Sequence, residues 1–137
     1  MFFKNKKIDK NQNFINVAAL LIHTAKIDQD YSEDEEKIIK QALLEIGINI
    51  EDIQQIIIQA KEVEANSNQI LDFTKEVKKM DNESKIKIIE TLWRIIYSNK
   101  EADIYESSLM RRLAGLLYID SKVMGDIKYK IIKQNKL

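Results

Sequence analysis

Apolar residues recur along the chain at intervals of three and four, the spacing that sets them on one side of an α-helix. The first such stretch runs from about Asn11 to Ile27. Phe14, Val17, Ala18, Leu21 and Ala25 share one side, and Leu20, Ile22 and Ile27 widen that stripe past half the circumference. A stripe so wide predicts a helix packed on two or more sides. A second helix is predicted from Ser32, where Ser32-Glu33-Asp34-Glu35 has the form of a capping box. Ile38, Ile39, Ala42, Leu43 and Ile46 form its apolar side, and Gly47 suits a left-handed helix end. A third, capped by Asn49, carries Ile53, Ile56, Ile57, Ala60 and Val63. The Glu, Gln, Lys and Ala around Ile56-Ile57-Ile58 favour helix there over strand.

Asn66-Ser67-Asn68 interrupts the pattern. A short helix follows from about Gln69 to Lys79, with Ile70, Phe73 and Val77. The chain restarts at Asp81-Asn82, and a fifth helix runs to about Ser98 through Ile88, Ile89, Leu92, Trp93, Ile95 and Ile96. A sixth begins at Asp103, with Glu106 three residues on, and buries Leu109, Met110, Leu113, Leu116 and Leu117. The last, from about Ser121, bears Val123, Met124, Ile127, Ile131 and Ile132. No linker or low-complexity stretch divides the series. The expectation is an all-α fold, a compact bundle of about seven helices in one domain over residues 1–137, with its core over about 14–130 and basic flexible termini.

A shift of 71 residues lays two parts of this pattern on each other. Val17 falls on Ile88, Ala18 on Ile89, Leu21 on Leu92 and Ala25 on Ile96. Asp28 falls on Asn99, Asp30 on Glu101, Ser32 on Asp103 and Glu35 on Glu106. Ile48 then falls on Ile119 and Asn49 on Asp120. A helix, an acidic loop, a capped helix and the cap of the next helix all recur in one frame.

Composition narrows the possibilities. At 137 residues the chain can bury a substantial core. It has no Pro and three Gly, so little favours the tight turns of a β-sandwich or barrel. It has no Cys, which excludes disulfides, thiolate zinc sites and Cys nucleophiles and fits a reducing compartment. Met1-Phe2-Phe3-Lys4 is too short for a signal peptide and no span reaches the length of a membrane helix, so a cytoplasmic location is expected. Net charge is zero, which argues against a general nucleic-acid binder. The charge is uneven, with +3 over residues 1–10, +3 over residues 120–137 and −6 between. Basic ends could meet an anionic lipid surface or an acidic partner, or simply be solvated.

The middle segment concentrates candidate chemistry. Asp28, Asp30, Glu33, Asp34, Glu35 and Glu36 lie within nine residues that contain no base. Asp28 falls at the phase of the apolar stripe, where a carboxylate needs a partner. Two are available: the free N–H groups and dipole of the following helix, or a cation. An all-oxygen donor set suits Ca2+, Mg2+ or Mn2+. Asp28-x-Asp30-x-Ser32 has the first spacing of an EF-hand, but Glu33 and Ile39 stand where that loop needs Gly and Glu, so it is not one. In the second loop Asn99 is neutral and Lys100 opposes a cation.

These features resemble the TerB-like family, which includes the tellurite-resistance protein TerB and the N-terminal region of the DjlA co-chaperone. The family pattern is an Asp-Gly loop leaving a helix, followed by an acidic capped helix, present twice. Here the copies read Ala25-Lys26-Ile27-Asp28-Gln29-Asp30-Tyr31-Ser32-Glu33-Asp34-Glu35 and Tyr97-Ser98-Asn99-Lys100-Glu101-Ala102-Asp103-Ile104-Tyr105-Glu106. The run Leu109-Met110-Arg111-Arg112-Leu113-Ala114 also looks like the family, and the resemblance covers about residues 14–130. It implies an all-helical fold and a binding role, not catalysis, in stress or metal-ion response. Divalent metal binding at the acidic loops would place Asp28, Asp30 and Glu35 at one site and Asn99, Glu101 and Glu106 at its counterpart. Gln29 and Lys100 depart from the family's Gly, and Asn99 departs from its Asp. No J domain is present, because His23 is followed by Thr24 and Ala25, so co-chaperone activity does not carry over.

Other residues have plainer readings. His23 lies opposite the main stripe and is expected at the surface. Trp93 sits among Leu92, Ile95 and Ile96 and is expected in the core, or else as an interface anchor. Arg94, Arg111 and Arg112 form a basic patch or separate ion pairs. No Gly-rich phosphate loop exists and nothing marks a nucleophile. A metal-sensing module that meets a protein partner and a structural adaptor whose acids only cap helices both remain open. A metal-dependent hydrolase has no polar constellation to support it.

Overall fold

The structure is a computed structural model that describes residues 2–26, 33–66, 70–97 and 104–135, with side chains from Phe14 onward except at 71, 104–106 and 135. The described residues form seven helices and no strand: α1 (Phe2–Lys26), α2 (Glu33–Glu45), α3 (Ile50–Asn66), α4 (Leu71–Lys78), α5 (Asn82–Tyr97), α6 (Ile104–Leu116) and α7 (Ser121–Asn135). α1 begins nine residues before the Asn11 start that the apolar pattern predicts. The pattern carries no signal before Phe14. The preceding stretch has no Pro or Gly to stop a helix already nucleated downstream. Lys4, Lys6, Lys7 and Lys10 therefore fall inside α1, and Lys122, Lys128, Lys130 and Lys133 inside α7.

α1 is the central helix. It packs on α2, α3, α4 and α5, which is why every residue from Val17 to Ile22 is buried. α5 packs on α1, α2 and α7 and is buried from Ile88 to Trp93 and again at Ile95 and Ile96. Between them lies one continuous apolar core, to which α2 adds Ile39 and Leu43, α3 adds Ile56 and Ile57, α4 adds Phe73 and Val77, α6 adds Leu113, and α7 adds Ile131. Each fully buried side chain of this kind contributes roughly 1.5–3 kcal/mol.

The helix borders obey the 71-residue repeat. α1 ends at Lys26 and α5 at Tyr97; α2 spans 33–45 and α6 spans 104–116; α3 starts at Ile50 and α7 at Ser121. The turns that end α2 and α6 also match. Gly47 has φ 107°, its N–H donates to the Leu44 carbonyl at 3.1 Å, and the Ile48 N–H donates to the Leu43 carbonyl at 3.1 Å. Tyr118 has φ 57°, its N–H donates to the Gly115 carbonyl at 3.3 Å, and the Ile119 N–H donates to the Ala114 carbonyl at 2.9 Å. Both are Schellman ends, which satisfy carbonyls that the helix leaves open. α4 has no counterpart and bridges the two halves, touching α1 on one side and α6 on the other.

Candidate functional site

The acidic bends lie where α1 hands over to α2 and α5 to α6. Asp28, Asp30, Asn99 and Glu101 lie outside the described residues, as do the caps Ser32 and Asp103. Glu106 is in the first turn of α6, with its side chain outside the described set. Glu35 is described. It stands in the first turn of α2 beside Glu33, Asp34 and Glu36, and only 1% of its surface is exposed. Glu33 and Asp34 face solvent. Among the described residues no three His, Asp or Glu side chains gather as a metal-binding group.

The acidic segment has no base in sequence, yet the fold brings bases to it. Lys61 of α3 places Nζ 3.0 Å from Glu36 Oε1, and Lys40, one turn along α2, lies 3.7 Å from Oε2. Part of the repulsion within the cluster is thus relieved by lysines. Lys40 follows at the i+4 spacing, but Lys61 reaches the cluster only because α3 folds back on α2.

Two buried glutamates clasp the helix pairs. Glu64 of α3 accepts from Lys26 Nζ at 2.7 Å through Oε2 and lies 3.3 Å from His23 Nδ1 through Oε1. The His23 ring also leans on Phe73, centroid to centroid 6.1 Å. His23 is therefore half-buried, its side chain still 35% exposed, with Glu64 of α3 and Phe73 of α4 beside it. In the second half Glu90 of α5 lies 3.3 Å from Lys130 of α7 and 3.8 Å from Arg94. The equivalent helix pairs α1 with α3 and α5 with α7 are thus pinned by buried carboxylates, the acid sitting on the later helix in one half and on the earlier in the other. Neither clasp is visible in helical spacing, since each joins residues about 40 apart in sequence.

Two of the concavities on the described surface are well formed. One, about 460 Å³, is lined by Glu45, Ile46, Glu83, Ser84, Ile86, Lys87 and Glu90. Lys87 bonds Glu45 across its mouth at 3.0 Å and holds that carboxyl below the ordinary carboxylate range. The other lies between α5, α6 and α7. Its floor is Trp93, which is 3% exposed, as expected for a core residue. Arg94 pairs with Glu90, while Arg111 and Arg112 are exposed on α6 with no ion pair among the described residues.

The family model of Tellurite resistance protein TerB matches residues 14–128, which span the duplicated helix–bend–helix order. The chain belongs to the TerB family. The TerB match takes in both acidic bends and both helix pairs, and it ends within α7. No curated protein and no solved structure matches this TerB chain. Among the described residues no helix is long and apolar enough to cross a membrane.

Proposed function

We infer that this TerB-family chain is a non-catalytic binding module of the tellurite-resistance and stress-response type, which takes a divalent cation at its acidic bend. Asp28, Asp30 and Glu35 would hold the ion, with Asn99, Glu101 and Glu106 a weaker counterpart. The observation that carries this is the depth of Glu35, a carboxylate 1% exposed at the start of α2. A carboxylate that deep keeps its charge only when donors or positive charge surround it. The dipole of α2 supplies part of this. A hard cation suits the donor set, which is oxygen alone. When bound, the ion would neutralise the carboxylates and tie the end of α1 to the start of α2.

Calorimetric titration of the metal-free protein with Ca2+, Mg2+, Mn2+ and Zn2+ tests this. The expected result is saturable heat and a higher melting temperature with at least one of the first three, both lost in Asp28→Asn and Glu35→Gln. Absence of heat at millimolar metal, with an unmoved melting temperature, would remove the metal from the reading.

A second reading is a structural adaptor for a protein partner, in which the acids only cap helices. It is favoured by the first turn of α2, where Glu33, Asp34, Glu35 and Glu36 all lie at the positive end of the helix dipole. On that reading the same two substitutions cost about 0.5–2 kcal/mol of stability and leave partner capture intact.

A further inference from the structure

The pocket between α5, α6 and α7 has an unusual lining. Its floor is apolar: Trp93, Met110, Ala114 and Met124, all buried. Among the described residues the polar groups around it are Arg111, Lys128, Ser107 and Ser121, with no carboxylate. The Trp93 Nε1 is buried and finds no acceptor among the described residues. Lys128 Nζ sits 5.5 Å above the centre of the indole ring. Two cations and two hydroxyls therefore line an apolar recess of about 220 Å³.

Comparison of the two halves shows how the recess arises. Under the 71-residue shift Ala114 stands where the first half has Leu43, which is fully buried. Gly125 stands where the first half has Gln54, and Lys128 where it has the buried Ile57. Relative to the first half, two positions carry smaller side chains and a third carries a cation in place of an apolar residue. Gly125 lies inside α7, where glycine weakens a helix relative to alanine. No steric demand accounts for it, since a Cβ there would meet nothing within 4 Å.

We propose that this recess is a binding site for a small amphipathic carboxylate, its apolar tail against Trp93, Met110 and Met124 and its head between Arg111 and Lys128. Charge selects the occupant: every charged group of the described lining is positive, so an anion is attracted and an ammonium repelled. The volume suits a chain of several carbons and is too small for a folded partner segment. Binding here requires no metal at the acidic bends, so the two sites stand or fall separately.

Trp93 is the only tryptophan, so its emission reports the site directly. The full chain is titrated with octanoate, with octanol as the same tail uncharged and acetate as the head without the tail. Octanoate is expected to give a saturable change with a dissociation constant on the order of 1 mM or tighter. Octanol and acetate should bind at least roughly tenfold more weakly. Gly125→Leu, which fills the recess, should abolish the change while far-UV circular dichroism is kept. Ala114→Leu restores the first-half residue and serves the same purpose should the former fail to fold. Arg111→Gln and Lys128→Gln should each weaken octanoate by roughly fivefold. The proposal is overturned by a flat octanoate titration, by octanol binding as well as octanoate, or by undiminished binding in the folded filling variants.

Discussion

Gly47 and Tyr118 occupy the same turn 71 residues apart, each with positive φ and each closing a helix of 13 residues. Glycine adopts that backbone freely, whereas tyrosine does so at a cost. Lys78 Nζ sits 4.6 Å from the Tyr118 ring centre and offsets part of it. Tyr118→Gly is therefore expected to raise stability by about 0.5–1 kcal/mol, and Gly47→Ala to lower it by about 1 kcal/mol. Denaturant midpoints measure both. A Tyr118→Gly variant less stable than the parent would show that the Lys78 contact outweighs the strained turn.

The Lys26–Glu64 clasp should respond unequally to loss of its two ends. The Glu64 side chain is 10% exposed and that of Lys26 45%. Without Glu64, the lysine can turn to water. Without Lys26, the carboxylate stays in place with His23 as its remaining neighbour. Lys26→Met should cost about 2–3 kcal/mol and Glu64→Gln about 1 kcal/mol. Equal costs in urea unfolding would mean that Glu64 reaches solvent when its lysine is gone.

Acid should weaken the fold through Glu45 and Asp81. The Lys87 ammonium lowers the Glu45 pKa, and the Ser84 hydroxyl, with the backbone N–H groups of Asp81 and Ser84, lowers that of Asp81. A carboxyl whose folded pKa lies below its unfolded one stabilises the fold above the unfolded value. That stability disappears as pH falls through the folded pKa. Melting temperature should thus decline below about pH 4.5, the upper of the two ordinary values. Lys87→Met should flatten the part due to Glu45, and Asp81→Asn the part due to Asp81. An unchanged slope in both variants would assign the acid sensitivity elsewhere.

Much of the scaffold was legible before any coordinates. Gly47 as a helix end, Asp120 as the cap of α7 and the buried stripes of α1 and α5 all follow from residue type and spacing. The Asp120 side chain indeed accepts the Lys122 N–H at 2.9 Å. What spacing could not show is which helix covers which. His23 reads as a solvent position on a lone helical wheel, but Glu64 of α3 and Phe73 of α4 leave it only partly exposed. Glu64 carries no signal in helical spacing, and only the return of α3 along α1 buries it. Lys61 reaches Glu36 for the same reason. Of the candidate metal ligands, Glu35 is placed at depth, and Asp28, Asp30, Asn99 and Glu101 lie outside the described residues.

The contact of α1 with α5 joins an element to its own repeat image. Such a seam has the form of a subunit boundary drawn inside one polypeptide. A chain ending after α3 would leave an oily strip along α1 with nothing to cover it except a second chain of the same kind.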